Sequence, residues 1–110
     1  MDYVIAIYTF TERLPHEERF GLTAQLRRAA VAIPSNISEG HQQGTRAYLR
    51  HVVIALGSAA ECETQLEIIR RLNFATSAEL SKSVTLGESV HRLLFGLRRS
   101  LRQRLRQPNP

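Results

Sequence analysis

The sequence predicts an all-α chain folded as an antiparallel up-down-up-down four-helix bundle. Three observations carry that expectation. Apolar residues recur at three- and four-residue spacing in four separate segments. Helix-breaking or capping residues fall between the segments, so the connections are short. No stretch alternates apolar and polar residues between turn signals, as a strand does. Four helices joined by short loops pack as an up-down bundle. The 110 residues, 43% hydrophobic with 6% aromatic and no Trp, make one domain with a core of aliphatics and Ala, assigned to residues 1–107.

The first helix is expected over residues 2–14. Val4, Ile5, Tyr8 and Thr11 to Leu14 form its apolar stripe. Pro15 stops it, because Pro cannot continue the backbone bonding. The second helix is expected over residues 22–39, with Leu22, Leu26, Ala29, Ala30, Ile33 and Ile37 on its apolar face. Pro34 lies inside. The stripe continues in phase across it, which favours one kinked helix over a stop and restart. Gly40 fits the C-terminal cap.

The third helix is expected over residues 45–72, with Thr45 as N-cap and Asn73 as C-terminal cap. Its stripe is Leu49, Val52, Val53, Leu56, Ala59, Ala60, Leu66 and Ile69, and Gly57, Ala59 and Ala60 permit close helix approach. The fourth is expected over residues 77–106. Thr76-Ser77-Ala78-Glu79 matches the S/T-x-x-E capping box. Leu80, Val84, Val90, Leu94, Leu97, Leu101 and Leu105 carry its stripe. Its middle, Ser81 to Ser89, is intrinsically weak as helix, so packing must hold it. Residues 108–110 are expected to fray. The helices do not match: the first spans only about 20 Å and the third about 42 Å at ~1.5 Å per residue. The short helix leaves apolar surface open, which marks an interface.

Several function classes find no support. No apolar run reaches the roughly 18 residues of a membrane span, and the N-terminus has no secretory signal pattern, so a cytoplasmic protein is expected. The single Cys excludes an internal disulfide framework and a multi-Cys zinc site. His16-Glu17-Glu18-Arg19-Phe20 resembles a zinc-protease helix only briefly, since Phe20 stands where the second His would be. His41, His51 and His91 show no paired ligand spacing and read as solvated or interface histidines. Asp2 is the lone Asp. Cys62 lies between Glu61 and Glu63, which raise a thiol pKa, so it reads as a small packing residue. The sequon Asn36-Ile37-Ser38 falls within a helix of a chain without a secretion signal. No catalytic residue, metal site or cofactor is assigned.

Charge is the informative feature. The net charge is +5, yet residues 91–110 hold Arg92, Arg98, Arg99, Arg102, Arg104 and Arg106 and no acid, leaving residues 1–90 at −1. Fourteen of the 15 basic residues are Arg, whose planar fork suits phosphate; a GC-rich genome also enriches Arg. Arg98, Arg102 and Arg106 share a helix face. That pattern suits three roles: phosphate contact with RNA or DNA, an anionic membrane surface, or a solvated bundle face whose cations complement the helix dipole. A second polar set comprises Arg27, Arg28, Asn36 and Glu39 on the second helix and Glu61 and Glu63 on the third. Antiparallel neighbours allow Arg27 or Arg28 to pair with Glu61 or Glu63, inside the bundle or between subunits.

The run from Pro15 to Gly40 (PHEERFGLTAQLRRAAVAIPSNISEG) resembles the signature of the bacterial four-helix-bundle proteins named for 23S rRNA intervening sequences, also called S23 ribosomal protein-like. The run from Ile54 to Leu66 (IALGSAAECETQL) and the ending Leu94 to Leu101 (LFGLRRSL) are similar to the same family. The family is also similar to the accessory variability determinant of diversity-generating retroelements, a basic pentamer that works with nucleic acid. The resemblance implies a four-helix bundle, a ring-like homopentamer and no enzymatic activity. Two departures stand out. The family commonly has a further stretch before position 1, and Cys62 replaces a larger aliphatic, which implies looser local packing. The expected function is non-catalytic association with RNA or DNA through the basic surface, without a membrane. The alternative is a scaffold for a partner protein on the surface the short helix leaves open.

Overall fold

The computed structural model describes residues 1–107. The fraying expected of residues 108–110 lies outside them. Among the described residues there is no strand. Four helices follow in order: α1 (Asp2–Thr11), α2 (Leu22–His41), α3 (Thr45–Arg71) and α4 (Ser77–Arg106), with a 3-10 turn at His16–Glu18 before α2. α2 packs on α3, α3 on α4, and α1 on both α2 and α4. That is the up-down-up-down bundle, with α1 diagonal to α3 rather than covering it. The molecule measures 56 × 23 × 19 Å.

The punctuation works largely as its chemistry requires. α2 runs unbroken through Pro34, which removes one backbone donor without ending the helix. α3 closes on Asn73, held at φ 61°, the left-handed position that Asn tolerates. Phe74 N–H donates to Ile69 O at 3.1 Å and Asn73 N–H to Arg70 O at 3.0 Å, the paired bonds of a Schellman motif. The capping box of α4 is present. Glu79 N–H donates to Thr76 Oγ1 at 3.1 Å, and Thr76 N–H donates to Glu79 Oε1 at 3.0 Å.

Four expectations are corrected. α1 ends at Thr11, not residue 14; Pro15 disfavours helical backbone at the residue before it, and residues 12–14 turn instead. Its buried face is Tyr3, Ala6, Ile7 and Phe10, whereas Ile5 is 63% exposed and Tyr8 is also exposed. The α3 N-cap is Gly44 in extended backbone, which makes Thr45 the first helical residue. Gly40 does not cap α2. It is buried one residue before the helix end, where a Cβ would lie 2.7 Å from His51 Cβ and 2.9 Å from a Tyr48 ring carbon. Its use is close approach of α2 to α3, not a left-handed turn.

The core runs the length of the bundle through Ile7, Leu26, Ala30, Val52, Ala55, Cys62, Ile69, Leu80 and Leu101. Of the residues expected on the α3 stripe, Val53 and Ala60 face outward. Gly40→Ala is expected to force the α2–α3 backbones apart and cost about 1–3 kcal/mol, the usual penalty of overpacking. Urea unfolding followed by circular dichroism checks it.

Candidate functional site

The antiparallel register places the charged residues. His91 of α4 meets Glu63 of α3, so the C-terminal half of α4 lies level with the start of α3. Arg46 and Arg50 therefore join Arg98, Arg99, Arg102, Arg104 and Arg106 at one end of the bundle, whereas Arg92, next to His91, lies near mid-length of α4. Residues 45–60 and 89–107 contain no acid. Among the described residues, none of these eight arginines has a carboxylate within 4.0 Å. Arg92 donates to Ser89 Oγ at 3.3 Å. Arg98 lies 4.8 Å over the Phe95 ring, and Phe95 stacks in turn on His91. The others of the α4 group are exposed. Leu94 and Leu101 on the opposite side of α4 are buried, so the helix is anchored by its leucines and presents its arginines.

The second polar set assembles differently from the expected ion pairs. Arg27 bonds to α1, not α3. Its Nε donates to Thr11 Oγ1 at 2.8 Å, its Nη2 lies 3.4 Å from Glu12 Oε1, and its guanidinium covers the Tyr8 ring at 4.4 Å. Thr11 passes the bond on to Ile7 O at 2.8 Å. Arg28 is exposed, with no carboxylate within 4.0 Å among the described residues. Glu61 accepts from Gln65, and Glu63 lies 2.7 Å from His91 Nδ1, off the alignment a hydrogen bond needs. No Arg27 or Arg28 pair with Glu61 or Glu63 forms within the chain. Arg27 stands about level with Glu61 but is rotated around α2 toward α1.

Asn36 and Glu39 are brought together on His51, read from sequence as solvated or at an interface. His51 Nδ1 lies 2.9 Å from Asn36 Oδ1 and 4.0 Å from Glu39 Oε2. Asn36 Nδ2 donates to Ala32 O at 2.9 Å, which leaves its Oδ1 to accept from His51 Nδ1–H. Gln43 Nε2 sits 3.4 Å from the other ring nitrogen. This chain ties α2 to α3 beside Gly40. Arg46, Arg50 and the roles of His51 and His91 escaped the sequence reading. Only the helix register reveals them, and periodicity does not encode it.

The titrating groups do not assemble a nucleophile. Cys62 is fully buried, and burial, reinforced by Glu61 and Glu63, pushes its thiol up to about 11. Half-buried Glu67 is held at about 2, chiefly by hydrogen bonds from Arg70 and then Arg71. Among the described residues, no group of three or more His, Cys, Asp or Glu is placed to hold a metal ion. No helix among them is long and apolar enough to cross a membrane.

Fold and polar layout together define an all-α four-helix-bundle protein with an arginine-rich end, to which α2 brings Glu39. The family model described as the 23S rRNA-intervening sequence protein matches residues 1–96, and the chain belongs to that family. A crystal structure of a protein of unknown function from the S23 ribosomal protein family of Bacteroides thetaiotaomicron is similar in fold. It is 24% identical, with a TM-score of 0.74 over 86% of this chain and 87% of that one. No curated protein matches the chain.

The native Cys62 thiol is expected to resist a disulfide reagent at pH 8, being buried and protonated, and to react fully once the chain is unfolded in guanidinium. Rapid labelling of the native protein would contradict this packing.

Proposed function

We propose that this protein is a non-catalytic, cytoplasmic, self-assembling bundle that associates with RNA or DNA through its arginine end. One observation carries the reading: seven arginines share that end, and none has a carboxylate within 4.0 Å among the described residues. Arginine unneutralised by its own protein is available to phosphate, and binding of this kind is sequence-independent and salt-dependent. The family's naming for an rRNA element is in keeping with it. A membrane surface is a poorer fit. The leucines that would enter lipid, Leu94 and Leu101, are spent on the core.

Self-assembly is supported by the outward side of α3. Val53, Ile54 and Ile68 are exposed there, and nothing lies within 4 Å of where a Gly57 Cβ would be. Apolar surface of this kind favours a further copy of the chain. A ring-like pentamer would gather five chains of +5 each into one field, which steers polyanions. Arg28, exposed and without a carboxylate within 4.0 Å among the described residues, is a candidate intersubunit contact. The second reading is a scaffold for a partner protein, favoured by Leu93, 74% exposed on α4.

Replacing Arg98, Arg99, Arg102 and Arg106 by Glu is expected to abolish RNA retention while circular dichroism keeps its helical signal. Losing four phosphate contacts alone would lower the log-affinity against log-salt slope by about 3. Equal retention by the variant would refute the nucleic-acid reading and favour the scaffold. Arg28→Glu is expected to lower the assembled mass in light scattering, and an unchanged mass would remove Arg28 from the interface.

A further inference from the structure

Among the described residues three arginines lie over aromatic rings, and their settings differ. Arg27 over Tyr8 is tied down: its Nε donates to Thr11 Oγ1, and Glu12 lies 3.4 Å from its Nη2. Arg19 lies 5.6 Å from the Phe20 ring centre, but Glu17 and Glu18 immediately precede it and would repel a polyanion. Arg98, 4.8 Å over the Phe95 ring, has neither encumbrance. No carboxylate lies within 4.0 Å of it among the described residues, and the chain holds no acid after Glu88. Phe95 in turn stacks on His91, with ring centres 5.5 Å apart and planes 28° from parallel. Spacings of four and three residues set the three side chains in one row along α4.

The row is a column of flat groups. Its inner end, His91, is mostly buried against α3, where Glu63 lies 2.7 Å from Nδ1. Its middle, Phe95, is 44% exposed, so core packing does not account for an aromatic ring there. Its outer end, Arg98, belongs to the arginine end, with exposed Arg99 and Arg102 close along the helix. Unpaired bases stack on aromatic rings and on guanidinium planes, while neighbouring cations hold their phosphates. A base inside a duplex is already stacked and paired, and extracting it costs free energy. Charge alone sorts the two forms the other way, because duplex phosphates are denser than those of a single strand. A stacking column and a plain basic surface therefore differ in which form they prefer.

We propose that the His91–Phe95–Arg98 column is a stacking site for an unpaired base, so that the arginine end takes single-stranded nucleic acid in preference to duplex. This rests on the nucleic-acid reading of that end and names the form it binds. The test is fluorescence anisotropy of the full chain with oligo(U), oligo(dT) and a mixed-sequence DNA duplex of equal phosphate count, across a salt series. Both single strands are expected to bind more tightly than the duplex, because stacking needs no 2′-hydroxyl. Phe95→Leu keeps the apolar bulk and removes the ring. It is expected to weaken single-strand binding about tenfold, the scale of one base–aromatic stack. Duplex affinity, the slope of log-affinity against log-salt and the assembled mass are expected to stay unchanged, since no phosphate contact is lost. Arg98→Lys keeps the charge and loses the plane, and is expected to act in the same direction. Phe95 is exposed, so its variant keeps the fold, which circular dichroism checks. A duplex bound as tightly as the single strands, a Phe95→Leu loss shared equally by the duplex, undiminished single-strand binding by both variants, or a fall in assembled mass would each overturn the column and leave the nucleic-acid reading intact. No binding of either form at low salt would remove both.

Discussion

The bundle depends on α1, and α1 cannot stand alone. Ten residues are fewer than the roughly 12–15 at which an isolated helix becomes even marginal. α1 is held from two sides. Arg27 of α2 clamps its last turn through Thr11, Tyr8 and Glu12. Tyr3, Ile7 and Phe10 supply its share of the core. The dependence runs both ways. Ser81 to Ser89 of α4 have low intrinsic helicity, and Tyr3 packs against Gly87 within that stretch. Each weak segment is ordered by the other, so the fold is a product of packing more than of propensity.

That reciprocity explains which parts of the fold were legible in the sequence. Local covalent chemistry sufficed in some places, though not for the exact stop before Pro15 or the cap at Thr45. Thr76 and Glu79 form their box, and Asn73 takes the left-handed turn. Pro34 was legible by a different route, since the stripe of Leu26, Ala30, Ile33 and Ile37 stays in phase across it. α1 failed because nearly every residue from Tyr3 to Phe10 is apolar, and period alone cannot choose between two apolar phases. Gly40 failed because glycine has two uses, a left-handed cap and a close approach. Only the neighbour, here His51 Cβ, separates them.

The candidate site divides in the same manner. The arginines of α4 stand out in a one-dimensional count because they cluster in the acid-free stretch after Glu88. Arg46 and Arg50 do not, since they lie some fifty residues earlier and join the group only through antiparallel register. Arg27 shows the converse. Its level along the bundle suits Glu61, but its angle around α2 turns it to α1, and a pairing rule based on level alone misassigns it. Polar partners between helices need both coordinates. The sequence supplies the angle along one helix and not the rotation of one helix against another.

Helix electrostatics separates the structural arginines from those that need another explanation. Arg104 and Arg106 occupy the last turn of α4, where cations complement the macrodipole and contribute roughly 0.3–1 kcal/mol each. A bland structural role is enough for them. Arg98, Arg99 and Arg102 lie before that turn, beyond the range of the effect. Arg46 is worse placed: it sits in the first turn of α3, at the positive end of the helix dipole, with no acid in that turn. Its charge opposes the dipole there and draws no compensation from a carboxylate within 4.0 Å among the described residues. Charges concentrated against local preference raise the energy of the isolated bundle. A polyanion bound as proposed above would supply the counter-charge that the first turn of α3 does not provide for Arg46.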